Sequence, residues 1–383
     1  MYKRILDLNL QMKKKSHFLW GPRATGKTSL IKAQLQKHAQ IVDLLDSQIY
    51  LRLSSDPTEL RNLIALETRP RESIVVIDEI QRVPELLNEV HRLIEEQHLR
   101  FLLTGSSARK LKRGAANLLA GRAWSMELFP LVYSEIPDFS LSRFVRFGGL
   151  PSVYTSNEPH EELKAYVNTY LKEEIQAEGL IRRIPAFHRF LESAALSNGQ
   201  LINYANIASD AQVPASTVAD HYQILVDTLI GSFLEPFTKT KKRKAVTTQK
   251  FYFFDQGVVN TLCAVNSIER NSDQFGRALE QLIYMNLKAY LSYTRSDSVL
   301  GFWRSQNQQE VDFTVGDFAA IEVKASKRLA SRDYSGLKAL KEEKIFKKYY
   351  LASMDSVYAH HDGIECLQIE LFLKKLWSGE LGF

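Results

Sequence analysis

The sequence predicts an α/β protein: a parallel sheet with helices on both faces, then a helical region, then a small second α/β domain. Three observations predict it. Between His17 and Leu128, short apolar runs alternate with amphipathic stretches, the pattern of strands covered on both sides by crossover helices. Near Pro130 the alternation gives way to helical periodicity. After Phe275 the alternation returns in shorter form.

The elements follow in order. Strands are expected at His17–Trp20, Ile41–Leu44, Ile74–Ile77, Phe101–Leu103 and Trp124–Leu128. Helices are expected at Thr28–His38, Asp56–Ala65, Glu85–Gln97 and Ala108–Ala120. Tyr166–Glu178 and Ala186–Ser197 read as helices. Tyr204–Ala211 and Ala215–Ile230 read as a helix pair broken at Gln212–Pro214, the second opened by Ser216 and Thr217. Leu234–Phe237 and Phe251–Phe254 flank a polar basic stretch as a hairpin. A helix at Arg277–Tyr290, strands at Val299–Arg304, Val311–Val315 and Ala319–Lys324, a helix at Ser335–Lys344 and a strand at Lys348–Ala352 make the last domain. At roughly 100–200 residues per domain, 383 residues divide as 1–135, 136–260 and 261–383.

Hydrophobic residues make up 45% and charged residues 25% of the chain, which excludes a disordered or fibrous protein. No apolar run approaches the roughly 18 residues of a membrane helix, and the basic N-terminus lacks the apolar segment of a secretory signal. Two cysteines, Cys263 and Cys366, offer neither zinc spacing nor a disulfide framework, so a reducing cytoplasm is the expected compartment. A net charge of +6 permits a polyanionic partner without demanding one.

Directly after the first strand comes Gly21, Pro22, Arg23, Ala24, Thr25, Gly26, Lys27 and Thr28, matching G-x-x-x-x-G-K-[ST] and opening a helix, with Ser29 next in the loop's reach. Glycines let a loop wrap a triphosphate with its N–H groups inward, and the helix N-terminus favours the anion. Lys27 would reach the β- and γ-phosphates and Thr28 would bind Mg²⁺. The third strand ends in Asp78 and Glu79. Asp78 would hold Mg²⁺, and Glu79 would act as general base towards the attacking water. An acidic pair capping the next helix is the competing reading. The fourth strand ends in Thr104, Gly105, Ser106 and Ser107. Thr104 or Ser106 would face the γ-phosphate or the water, against a plain strand-to-helix turn. Arg109, Arg113 and Arg122 are arginine-finger candidates for a neighbouring subunit's ATP in a homo-oligomer, against ordinary solvated arginines.

The stretches GPRATGKTS, IVVIDEIQRVPEL, FLLTGSSARKL and GRAWSMELFPL resemble a widespread prokaryotic family of AAA-type P-loop ATPases. Phe147-Gly-Gly-Leu-Pro151, Phe251-Tyr-Phe-Phe-Asp-Gln-Gly257 and Phe275-Gly-Arg-Ala-Leu-Glu280 agree in order, so the resemblance covers nearly the whole chain. It implies an ATPase core with ATP and Mg²⁺, a helical and winged-helix segment, and a C-terminal domain of unknown function with a PD-(D/E)XK nuclease-like core.

Two further constellations concern DNA and metal. On the second helix of the pair, Val218, Tyr222, Leu225, Val226 and Leu229 share an apolar face. Ser216, Thr217, Asp220, His221 and Gln223 are left for solvent. Lys239 to Lys244 carries five cations in six residues where a wing would lie, as a solvated loop able to neutralise DNA phosphates. The competing reading is an interdomain packing module. In the last domain, Asp312 and the pair Glu322 and Lys324 fall on neighbouring strands, and alternation puts Glu322 and Lys324 on one face. Two carboxylates with the Val323 carbonyl would hold Mg²⁺, Lys324 would orient water, and Glu280 is a further acid. This resembles the D…E-x-K pattern of PD-(D/E)XK nucleases, with Val311 where a proline is often found. An ion-paired strand in a binding-only domain fits the same residues.

The sequence thus points to an ATP-hydrolysing protein acting on or with DNA. The alternatives are an ATP-dependent nuclease and a nucleotide-gated protein-binding module with little turnover.

Overall fold

The computed structural model describes residues 2–65, 74–107, 119–171 and 184–383. They gather into two units, Met1–Phe129 with Asp227–Ile230, and Pro130–Val226 with Gly231–Phe383.

In the first unit, β1 (Ser16–Trp20), β2 (Ala39–Asp43), β3 (Ile74–Asp78), β4 (Arg100–Gly105) and β5 (Ala123–Glu127) form one parallel sheet in the order β2-β3-β4-β1-β5. Val75, Val76, Ile77, Phe101, Leu102 and Leu103 are fully buried, as central strands covered on both faces must be. The helix Leu86–Gln97 turns Leu86, Leu87, Val90 and Leu93 onto this core. Ser47–Ser55 forms a helix beyond those expected, and the expected helix Asp56–Ala65 occurs as Glu59–Ala65. Asp46 starts the first by accepting from the N–H groups of Gln48 and Ile49. The order places β4 between β3 and β1, so the carboxyl ends of these three strands are neighbours. Ligands of open parallel sheets sit at such ends. Most of the expected helix Ala108–Ala120, with Arg109 and Arg113, lies outside the described residues.

The second unit begins with short helices, among them Leu141–Phe147 and Pro159–Ala165. Of the expected helix Tyr166–Glu178, Tyr166–Leu171 forms a π-helical turn and the rest lies outside the described residues. The helix pair is present as Tyr204–Ala211 and Ala215–Asp227, with Gln212 in the left-handed region between them. Val218, Tyr222 and Leu225 are buried as expected. His221 is not on the solvent face: it is buried edge-on to Phe187, 4.9 Å between ring centroids, because the helix Ile184–Leu196 covers that flank.

Eight strands make the second sheet. They are β6 (Gly231–Pro236), β7 (Lys250–Phe253), β8 (Leu300–Arg304), β9 (Glu310–Val315), β10 (Ala319–Lys324), β11 (Lys348–Ser353), β12 (Ala359–His361) and β13 (Ile364–Gln368). Their order is β12-β13-β11-β10-β9-β8-β6-β7. The expected hairpin exists as β6 antiparallel to β7, but it is no free-standing wing: β6 also pairs in parallel with β8 and joins the large sheet. The helix Ser335–Lys341 packs Leu337 and Leu340 against Trp303, Val311, Ala320 and Leu351.

Candidate functional site

The first site grows from the loop after β1. Gly26 has φ 95°, a conformation that suits glycine, and starts the helix Lys27–Leu35. A Cβ on Gly21 would lie 2.5 Å from the Leu128 carbonyl oxygen, so only glycine lets the loop pass so close. Thr25 Oγ1 donates to the Pro22 carbonyl at 2.9 Å and draws the loop into a ring. Lys27, buried, folds its ammonium back onto the carbonyls of Gly21 (2.7 Å) and Pro22 (3.1 Å).

The strand ends supply acids and hydroxyls. Thr28 Oγ1 donates to Asp78 Oδ2 at 2.8 Å, and Thr104 Oγ1 donates to Asp78 Oδ1. The N–H of Glu79 donates to Thr104 Oγ1 at 3.1 Å. A hydroxyl and a carboxylate side by side are the hard oxygen donors that Mg²⁺ prefers, so these residues fit the ion. Glu79 departs from strand geometry with φ 60° and ψ 47°. A non-glycine residue there is strained by the order of 1–3 kcal/mol, and such strain collects at functional positions. Its carboxylate accepts from Gln81 Nε2 and, at 3.3 Å, from Ser106 Oγ. Gln81, buried on the 3₁₀ turn Ile80–Arg82, escapes sequence reasoning, because only that turn brings it back to Glu79. Its Oε1 is buried with no hydrogen-bond partner.

The second site lies in the C-terminal sheet. β9 and β10 run antiparallel with Ile321 opposite Phe313. At Asp312 the side chain joins the ladder: its Oδ2 accepts from the Val323 N–H at 2.7 Å. Glu322 is buried, paired with Lys324 through Oε1, while its Oε2 has no hydrogen-bond partner. The charged side of β10 is thus not an outer face. Ala320, two residues before Glu322, packs into the core under Leu337 and Leu340. Burial and the neighbouring carboxylates of Glu322 and Glu280 push Asp312 well above the usual carboxylate range. Burial also pushes Glu322 up to about 7, against the pull of Lys324. Among the described residues no three His, Cys, Asp or Glu side chains are gathered as a metal would gather them.

Sequence reasoning missed two members of this centre. Lys250, the first residue of β7, is buried and bonds Glu310 at 2.7 Å and Glu280 at 3.1 Å. Tyr252 donates its phenol to Glu280. The signal was a lysine heading an apolar aromatic strand, Lys250-Phe-Tyr-Phe253. Burial alone would lower Lys250, but Glu280, Glu310 and Asp312 hold it above its ordinary value.

Comparison with known proteins follows the same division. Residues 13–137 match the family model of an AAA domain. Residues 138–269 and 275–372 match two domains of unknown function, DUF8612 and DUF4143. The stretch that matches the AAA model includes both Gly21–Ser29 and Asp78–Glu79. An uncharacterized protein of Mycobacterium tuberculosis is 28% identical over 307 residues, covering 78% of this chain and 66% of its own length. The chain thus spans just under two thirds of that relative. An uncharacterized protein of Methanocaldococcus jannaschii is 22% identical over 82% of this chain and 75% of its own. One of Haemophilus influenzae is 23% identical over 70% and 72%. A chain in the structure of Drosophila ORC bound to AT-rich DNA and Cdc6 aligns with TM-score 0.22 and 8% identity, over 66% of this chain and 86% of that one. That likeness is too distant to bear on function.

Outside the two centres, Arg122, at the edge of the AAA domain, pairs with Glu95 at 2.5 Å on the surface. The basic loop is not simply solvated. The N–H groups of Lys241, Lys242 and Arg243 donate to the Glu343 carboxylate at 2.8, 2.9 and 3.0 Å, and the Arg243 guanidinium pairs with Glu342 at 2.8 Å. Burial alone would raise Glu343, yet these three N–H groups hold it below the usual range. The side chains of Lys239, Lys241, Lys242 and Lys244 stay exposed. Among the described residues no helix is long and apolar enough to cross a membrane.

Proposed function

We propose that this chain binds and hydrolyses ATP and acts on or with DNA. One observation carries the reading: Asp78 is held between the hydroxyls of Thr28 and Thr104, with Glu79 next to it in a strained conformation. In this reading the loop Gly21–Ser29 cradles the phosphates and Lys27 leaves the Gly21 and Pro22 carbonyls for the β- and γ-phosphates. Thr28 and Asp78 would hold Mg²⁺, which would supply neutralising charge for the phosphates. Glu79 takes a proton from the water that attacks the γ-phosphorus. The bond to the β,γ-bridging oxygen breaks, releasing ADP and phosphate. Thr104 positions Asp78 and the Glu79 backbone, while Gln81 and Ser106 aim the Glu79 carboxylate. Arg122 would serve as a finger only by leaving Glu95 for a second copy's ATP.

The DNA part of the reading is supported by the four exposed lysines of the 239–244 loop, held in a set backbone shape by Glu343. ATP turnover measured with duplex DNA, with single-stranded DNA and without DNA tests it. Stimulated turnover is expected. Tight ATP binding with negligible turnover in all three would favour a nucleotide-gated binding module.

A second reading, an ATP-dependent DNA nuclease, is favoured by the Glu322 Oε2 left without a partner beside Asp312. In this reading the carboxylates and the Val323 carbonyl would hold a divalent ion, which would polarise a phosphodiester, and Lys324 would orient water. Metal-dependent cleavage on a gel, lost in Lys324→Ala, is the expected result under this reading.

A further inference from the structure

The C-terminal centre already contains a cation of its own. Glu280 comes from the helix Asp273–Tyr293, Glu310 and Asp312 from β9, and Glu322 from β10. Into this set the ammonium of Lys250 projects from β7, bridging Glu280 at 3.1 Å and Glu310 at 2.7 Å. It has no easy way out. The Lys250 backbone is paired with Leu234 and Leu201, its side chain is 3% exposed, and its ammonium stands 5.2 Å from the centre of the Phe302 ring. Tyr252, two residues along the same strand, secures Glu280 from the same side. Arg304 shares Glu310 at 3.1 Å and Lys324 pairs with Glu322, so three cations face four acids. Glu322 Oε2 is buried and without a hydrogen-bond partner.

We propose that Lys250 is the resident counter-cation of this centre, and that a divalent ion binds Asp312 and Glu322 only against its charge, so that Lys250 sets the metal affinity of the site. Lys250 bonds Glu280 and Glu310 and not Asp312 or Glu322, so it acts on an ion there through its charge: positive groups within one buried cluster of carboxylates repel. The inference rests on reading Asp312 and Glu322 as carboxylates for a divalent ion. It goes beyond that reading in giving the control of the ion to a residue of another strand.

The test is calorimetric titration of Mn²⁺ alone into the full chain, as wild type and as Lys250→Met, which keeps the length of the stem. Each is repeated with Asp312→Asn, so that binding at the nucleotide site cancels in the difference. The expected result is a component at least about tenfold tighter in Lys250→Met than in wild type and lost with Asp312→Asn. Affinities equal within about twofold, or a gain that survives Asp312→Asn, overturn the proposal. Should Lys250→Met fail to fold, Lys250→Gln, which removes the charge and keeps a hydrogen-bond donor, carries the same comparison and the same two outcomes. A duplex-DNA gel separates the two ideas. Tight Mn²⁺ binding in Lys250→Met without cleavage keeps the role of Lys250 and removes the nuclease reading. Equal Mn²⁺ affinity with cleavage does the reverse.

Discussion

In the first unit the acids Asp78 and Glu79 come from one strand end and are met by hydroxyls and an amide: Thr28, Thr104, Ser106 and Gln81. In the C-terminal centre four acids come from one helix and two strands and are met by the charged groups of Lys250, Lys324 and Arg304. The difference teaches what each place is prepared for. Neutral donors leave the charge of Asp78 uncompensated, as the proposed Mg²⁺ site requires. Ammonium groups compensate most of the charge in the C-terminal centre beforehand, and whatever enters must compete with them. Burial follows the same division. Burial acts on Asp312 and Glu322 strongly enough to push both upward.

The comparison breaks most readily at Glu79. Glu79→Gln keeps the shape and removes the base, so ATP binding should persist while turnover falls roughly 10²–10⁴-fold. Equal turnover in single-turnover assays would make Glu79 a capping residue and put the base elsewhere. Next in size is Lys27→Ala. Loss of the ammonium that now rests on the Gly21 and Pro22 carbonyls should weaken ATP binding at least about tenfold, or about 1.4 kcal/mol, by calorimetry. Unchanged affinity would remove the phosphate cradle from Gly21–Ser29.

The C-terminal centre is sharpened by pH. Glu322 titrates near 7 when folded and at an ordinary 4.5 when unfolded. A carboxyl raised in this way costs stability as pH climbs above 4.5, and the cost levels off above about 7. Wild type should therefore lose melting temperature between pH 5 and pH 8, where Glu322→Gln should lose less. Parallel slopes would mean that Glu322 is solvated and the centre is open.

The smallest stability effect belongs to the basic loop. Replacing Lys241, Lys242 and Lys244 by Ser should leave the melting temperature unchanged. If these side chains meet DNA phosphates, the salt dependence of log affinity should drop by about 0.9 per lost contact. Glu343→Gln should act the other way. It weakens three backbone hydrogen bonds and costs stability on the order of 1–3 kcal/mol, with all the lysines intact. A triple-lysine variant with the wild-type salt slope would leave the loop as a structural tie between β6 and β7.

How much was legible follows from how locally each feature is encoded. The loop Gly21–Ser29, the Asp78–Glu79 strand end and Thr104 are short contiguous stretches whose residue types state their own geometry. The parallel order of their strands then brings them together. The D…E-x-K pair was legible for the same reason, since β9 and β10 are joined by a tight turn. Gln81 was not legible, because a 3₁₀ turn returns it to Glu79. Nor was the basic loop's anchor, because Glu343 lies about a hundred residues beyond it. His221 was misassigned to solvent because one helix's periodicity says nothing about a second helix lying across it.

By itself, then, the sequence determined the alternation that makes the first sheet parallel, the glycine-permitted loop and the acids at the strand ends. Each depends on interactions within a few residues: backbone conformation, side-chain alternation and burial of contiguous apolar runs. Only the tertiary structure decided that Lys250 would stand among Glu280 and Glu310, and that Asp312 would give its carboxylate to the Val323 N–H. Those contacts join β7, β9, β10 and a helix far apart in the chain. A charge buried among charges is stable only where all its partners arrive together, and no short stretch of sequence records that arrival.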